Sequence, residues 1–488
     1  MVEAFSQIRA VFRRPVDLSA LFASAVTALA AAVLLGAGGY AILNLRSFKY
    51  LGGLIFAGLA GVFFMALPRK RSFLLYCLGL SLPFFVQIIL IQRGVSGLFT
   101  VTGTFIITLA LALVVIATGG LRPGGILFES SISLPAVLFL CAALVSSVTT
   151  TDKTITLFAI AQELEMFFIF LVLINAIRDL SHLVAFLRGF YLGFAVECVI
   201  YILQNILGFS FDIVGNTRLV GSTDVEGGVI RSQRGTFAAD VSTPALYFSI
   251  MALSLIGIYL CRRRLPLRLS APLGASMGLA CLILTAKRAP MGSFALGMIV
   301  ISLLLSRHAP GANRKLIRVL AALVIPALIL LPVLVIRAKA DHVAAYEERM
   351  NLTRVAWNMY ASHPIVGVGF GTYETLLRDY LPEDWSGWLF TVHNRYLRIL
   401  AESGIVGFAA LVVLYAGILR SAYRGIGRVD TDHRPLQISL LAALIAVCWE
   451  QYWDIFQSKP QGYMLWFLAA LAVVLPRVLP RVGSLESS

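Results

Sequence analysis

Residues 154–175 read TITLFAIAQELEMFFIFLVLIN. As a helix this stretch would be about 33 Å long, at about 1.5 Å per residue. A bilayer's hydrocarbon core is roughly 30 Å thick and takes about 20 apolar residues to cross. Two glutamates, Glu163 and Glu165, sit inside the run. Intramembrane acids are costly, and they mark functional sites or structural pairs. Both uses stay open for them and for Glu197 and Glu450: binding sugar, orienting an arginine, relaying protons, or pairing with a cation such as Arg188.

Runs of the same kind lie outward from this one, near 18–37, 50–67, 73–91, 98–118, 132–148, 183–207, 242–260, 270–286, 291–306, 317–336, 403–419, 436–453 and 461–475. The expected fold is an all-α integral membrane protein, a polytopic bundle of about 12–14 transmembrane helices. A large outward-facing loop with short helices completes it. Composition agrees: 59% of the 488 residues are hydrophobic and 13% charged, where a soluble chain carries about a quarter charged. That excludes a soluble multi-domain enzyme. The apolar stretch 18–35, behind Arg9, Arg13 and Arg14, lacks a small-residue cleavage site and reads as the first span.

The net charge is +15. Its basic blocks are Arg9/Arg13/Arg14, Arg69/Lys70/Arg71, Arg262/Arg263/Arg264/Arg268, Arg307/Arg314/Lys315/Arg318, Arg420/Arg424/Arg428/Arg434 and Arg477/Arg481. The span count puts all of them on one side, the cytoplasm by the positive-inside bias, with both termini there. No aromatic-basic segment or zinc-finger spacing accompanies them, so no nucleic acid is expected as a partner. Cys77, Cys141, Cys198, Cys261, Cys281 and Cys448 lie in or beside apolar runs without paired spacing. They read as small core residues, and no metal-ligand cluster is visible.

The expected organisation is a transmembrane half over 1–207, an outer loop over 208–241, central helices over 242–336, a large outer loop over 337–403 and C-terminal helices over 404–488. Irregular backbone must leave the hydrocarbon or line a cavity, so chemistry is expected at this outer rim. In the large loop, 343–361 reads as helix. SHPIVGVGFGTY (362–373) then breaks it with Pro364, Gly367, Gly369 and Gly371. No strand precedes this GxGxG and no partner acid follows, so it reads as tight turns and not as a nucleotide loop.

HPIVGVGFGTY (363–373), followed by HNRYLRILAESGIVGF (393–408), resembles the signature of the O-antigen ligase and Wzy polymerase superfamily. RSQRGTFAADVSTPAL (231–246) resembles the family's Arg-x-Gly-x-Phe entry to a span. LTAKRAPMGSFALGM (284–298) resembles its Ser-Arg-Gly/Ala hairpin. Lys287 stands where a small residue is usual. Ala238-Ala239-Asp240 replaces an Asn-Pro-Asn-like segment. The resemblance covers roughly 230–410.

It implies glycosyl transfer, without metal, nucleotide or other cofactor, from a polyprenyl (undecaprenyl) diphosphate-linked oligosaccharide to an acceptor hydroxyl. The acceptor is a growing glycan for a polymerase of O-antigen or exopolysaccharide, or lipid A-core for a ligase. The implied location is the bacterial inner membrane with the active face periplasmic. The implied partners are membrane lipids and a chain-length regulator protein.

Such chemistry needs cations for the departing diphosphate, and arginine forks match phosphate oxygens. Arg234 and Arg288 fit that role, unless they are interfacial arginines that snorkel. Lys287 adds a second cation or faces headgroups. The acceptor hydroxyl needs a base, and His393 is the candidate. His363 touches substrate or serves the turn before Pro364. Asp454 could orient His393 or an arginine. Tyr373, Trp385, Trp388 and Tyr396 could stack on sugars or form an aromatic belt.

With no nucleophile constellation, direct displacement with inversion is expected. Helical spacing puts Arg395, Arg398 and Glu402 on one face, with Glu402 pairing Arg398, and leaves His393 apart. Arg234 and Arg288 are its expected partners. The alternative from a different class is a multi-pass transporter or flippase for lipid-linked sugars or small anions. It would need a central cavity lined by the buried acids and two matching halves, and no internal repeat is visible.

Overall fold

The computed structural model describes residues 69–84, 86–93, 96–120, 128–207, 235–237, 242–261, 265, 270–318, 320–321, 344–382, 385, 391–454 and 458–480. Within them the chain is a polytopic helical bundle. Its elements are α1 (Lys70–Leu80), β1 (Gln87–Arg93), β2 (Ser96–Thr102), α2 (Gly103–Val115), α3 (Ser130–Val145), α4 (Lys153–Ala176), α5 (Leu180–Leu207), α6 (Ser242–Leu260), α7 (Ala271–Leu284), α8 (Arg288–His308), α9 (Ala344–Ser362), α10 (Tyr373–Leu376), α11 (Arg395–Arg428), α12 (Arg434–Trp453) and α13 (Lys459–Val478). Eight helices of the described residues are long and apolar enough to cross a membrane: α3 with its 3-10 extension to Val148, α4, α5, α6, α8, α11, α12 and α13. α7 and α2 are shorter apolar helices. The expected spans at 18–37 and 50–67, and most of 317–336, lie outside the described residues.

The expected span 73–91 is not formed. α1 stops at Leu80, two residues before the Leu82-Pro83 step, where proline disfavours continued helix. The chain then enters an antiparallel hairpin, with Gln87 opposite Thr102 and Arg93 opposite Ser96. QIILIQR and SGLFTVT are rich in β-branched and aromatic residues, which suit strands as well as membrane helices. The helix expected from 98 begins at Gly103, where Thr102 Oγ1 accepts the Phe105 amide at 3.1 Å.

α6 is almost wholly enclosed by its neighbours, and α12 and α13 are mostly so. α3 and α8 turn Leu134, Leu138, Leu144, Ile299 and Leu303 outward. An apolar exterior of this extent fits a lipid surrounding and not water.

The two ends of the bundle differ. One carries basic residues that the described segments retain from the basic blocks, Arg434, Lys315 and Arg477 among them. There Arg434 Nη1 donates to His308 O at 3.3 Å, Lys315 Nζ to Cys261 O at 3.3 Å, and Arg477 pairs with Glu129 at 2.7 Å. The other end carries the large loop and the polar helix caps. Asp152 caps α4, Asn394 caps α11, and Ser458 with Gln461 forms a capping box on α13. Such caps satisfy amides that a helix terminus leaves bare.

Candidate functional site

The large loop is built onto α11 through a break in that helix. Gly404 takes φ 61°, in the left-handed region. The break frees carbonyls before it and amides after it, and buried backbone groups must find partners. Residues 364–369 supply them. The Val368 and Gly369 amides donate to the carbonyls of Ala401 (3.1 Å) and Glu402 (2.9 Å), while the Ile405 and Val406 amides donate to Pro364 O (2.9 Å) and Ile365 O (3.3 Å). The two backbones approach so closely that a Cβ on Gly404 would lie 2.3 Å from Ile365 O. One on Gly367 would lie 2.3 Å from the Glu402 carbonyl. Gly367, Gly369 and Gly371 all have positive φ, so the GxGxG run is the tight-turn segment expected, and its tightness serves this splice.

Above the splice the loop has its own core. Leu352, Val355, Ala356 and Met359 of α9 pack with Val368, Tyr373, Leu377, Val392 and Ala401. Tyr373 is fully buried, and its hydroxyl donates to Leu352 O at 3.1 Å. It is therefore a core residue, not a platform for sugar, and burial pushes its hydroxyl above the usual phenol range. Trp385 packs at the edge of the same cluster; Trp388 lies outside the described residues.

Three ion pairs fasten the base of the loop. Arg398 Nε meets Glu402 Oε1 at 2.9 Å, the pair expected from i,i+4 spacing. The other two cross between helices: Arg395 with Glu163 at 2.7 Å, and Lys459 with Glu165 at 2.7 Å. Lys459 also donates to Thr100 O at 2.6 Å, and Tyr463 donates to Glu165. Arg188 is not the partner of either glutamate. Glu197 accepts the Thr236 amide at 3.1 Å and lies 2.5 Å from its hydroxyl, which also lies 2.6 Å from Pro83 O, and Gln204 holds both the amide and carbonyl of Gly235. These contacts fix the turn after Arg234; Arg234 itself lies outside the described residues.

His393 stands just before the N-cap Asn394, whose side chain accepts the Leu397 amide at 3.0 Å. It is half-buried, and burial holds its imidazole below the ordinary histidine value. Arg349 and Lys287 push in the same direction, and Asp454 opposes them. The charges that bear on it thus come from the α7–α8 hairpin, the end of α12 and helix α9. Lys287 is the N-cap of α8 and Asp454 the C-cap of α12, where it is nearly buried. Between α7 and Lys287, Ala286 has φ 54°, the one positive-φ non-glycine among the described residues. Strain of this kind gathers at functional sites.

Arg288 follows at the first position of α8 with an exposed side chain. Its neighbour Lys287 lowers the His393 pKa, and so does Arg349, which the sequence did not single out. A lone arginine on an amphipathic loop helix carries no local signal of that kind. His363 is held within its own turn, with Nδ1 at 3.0 Å from Ser362 Oγ. Tyr396 donates its hydroxyl to Cys448 O at 2.8 Å and lines an apolar groove of about 550 Å³ with Leu296, Ile445, Trp449 and Tyr452. Among the described residues, no group of three or more His, Cys, Asp or Glu side chains is placed to hold a metal ion.

Compared with known families, residues 273–412 match the family model Wzy_C, described as O-antigen ligase. The match takes in Lys287, Arg288, Arg349, His363, His393 and Tyr396, and ends before Asp454. No curated protein matches the chain.

Proposed function

We propose, from the match of residues 273–412 to the O-antigen ligase family model, that this chain moves a glycan from a polyprenyl diphosphate carrier to an acceptor hydroxyl. What supports this reading is that the charges of Asp454, Arg349 and Lys287 bear on His393, where α8 and α11 pack on α12 and α9 packs on α11. A base and a set of cations are what such a transfer requires of a protein.

In this reading His393 is neutral at neutral pH and accepts the proton of the acceptor hydroxyl. The acceptor oxygen attacks the anomeric carbon from the face opposite the diphosphate. The C–O bond to the carrier breaks, its electron pair leaves on the diphosphate oxygen, and configuration inverts. Lys287, Arg288, Arg349 and Arg234 face the growing negative charge. Asp454 orients His393 and stabilises the imidazolium that forms. Tyr396, on the wall of the apolar groove, and His363 lie along the substrate's approach in this reading. The loop-bearing end faces the periplasm, the basic end and both termini face the cytoplasm, and the membrane is the bacterial inner membrane.

The test is a knockout complemented with His393→Ala and Arg288→Ala at matched expression. Both are expected to lose polymer. Accumulated single lipid-linked repeat units identify a polymerase, and accumulated long lipid-linked polymer with bare core identifies a ligase. Normal product from both variants sinks the reading.

A further inference from the structure

We propose that Glu450 is a neutral carboxylic acid of the site, a positioning residue between Ser293 and Asp454 that keeps the cluster around Lys287 cationic for an anionic diphosphate. The identity of the ligand rests on the glycosyl-transfer reading; the protonation state does not.

Hydrogen-bond bookkeeping carries the protonation state. Ser293 Oγ lies 2.9 Å from Ala289 O and 2.7 Å from Glu450 Oε2. A serine hydroxyl has one proton to give, yet both neighbours would be acceptors if Glu450 were ionised. Both contacts are made well when the Glu450 carboxyl O–H donates to Ser293 Oγ and Ser293 donates to Ala289 O. The second oxygen agrees. Glu450 is 1% exposed, and its Oε1 is buried with no hydrogen-bond partner among the described residues. A bare buried oxygen is tolerable on a neutral acid and very costly on a carboxylate.

Position carries the role. Glu450 lies one turn before Asp454, whose amide donates to Glu450 O at 3.0 Å. Its contact with Ser293 joins the end of α12, which carries Asp454, to the first turns of α8, which follow Lys287. The charges acting on Glu450 are those of Asp454 and Lys287. From the other helices packed on α12, α11 brings Arg395, engaged by Glu163, and α13 brings Lys459, engaged by Glu165. α6 has no charged residue. With Glu450 neutral, Asp454 is the acid that, among the described residues, opposes Lys287 and Arg349 in their effect on His393. A second carboxylate would cancel the surplus that receives the diphosphate.

The experiment uses the full chain in nanodiscs, with farnesyl diphosphate as the probe. The wild type is expected to show an infrared carboxylic-acid band that E450Q reduces. Glutamine keeps a neutral donor to Ser293, so E450Q should bind the probe within about twofold of wild type at neutral pH. E450A should bind on the order of tenfold more weakly, the scale of one lost hydrogen bond. Raising the pH until Glu450 ionises should weaken the wild type and spare E450Q. An acid band unchanged in E450Q overturns the proposal, as does binding lost in E450Q as fully as in E450A, or an identical pH profile in E450Q and wild type. If the band falls but wild type does not bind the probe, the glycosyl-transfer reading fails while the neutral acid stands.

Discussion

The ion pairs at the base of the loop and the cluster around His393 draw on the same residue types at the same end of the bundle. In the first region each acid is matched to a cation: Glu163 to Arg395, Glu165 to Lys459, Glu402 to Arg398. These charges serve architecture: the first two pairs join α4 to α11 and α13, and the third lies within α11. In the second, the charges of Lys287 and Arg349 bear on His393 in opposition to that of Asp454. The two regions meet within three residues, at His393 and Arg395. The difference is one of charge balance: a neutralised region has nothing left to offer a ligand, and an unbalanced one does.

The largest effect that tests this contrast is loss of the base. His393→Ala should lower product formation by about 10²–10⁴-fold, the usual worth of a positioned acid–base group, in purified protein given lipid-linked glycan. Its unfolding in detergent should change little. The converse belongs to the paired region. Glu165→Ala strands Lys459 and Tyr463 in a buried setting, and should cost about 3–5 kcal/mol of stability, read by denaturant unfolding in detergent. If His393→Ala proves destabilising while Glu165→Ala abolishes turnover in folded protein, the contrast is reversed. A smaller cost is expected at the splice. Gly404→Ala puts a Cβ against Ile365 O at a positive φ. It should cost about 1–3 kcal/mol of strain and show as faster proteolysis of the loop.

The long apolar helices were legible because each carries its own evidence: a run of the right length, closed by basic residues. So were α9, the glycine turns and the Arg398–Glu402 pair, all of which rest on local spacing. The hairpin at 87–102 was not, because Ile, Val and Phe satisfy strand and membrane helix alike, and length alone arbitrated. The pairs Arg395–Glu163 and Lys459–Glu165 were invisible for another reason. Their members are far apart in sequence, and which helix packs on which is decided by the whole bundle. The same holds for the site. His393 and Lys287 could be proposed from motifs, but Arg349 joins them only through the docking of α9 onto α11.

The finest test of the contrast is the pH at which activity rises. His393 must be neutral to act as a base, so activity falls as pH drops through its pKa. Burial holds that pKa below the ordinary histidine value, Arg349 and Lys287 lower it further, and Asp454 raises it. Removing a cation with Arg349→Ala should therefore move the acid limb of kcat/KM to higher pH, and removing the carboxylate with Asp454→Asn should move it to lower pH. The same measurement on the double variant Arg395→Met/Glu163→Gln should leave the limb in place, because the pair it removes is neutral as a whole. Limbs that move equally in all three variants would mean that His393 senses the total charge of the rim, and that paired and unpaired residues act on it alike.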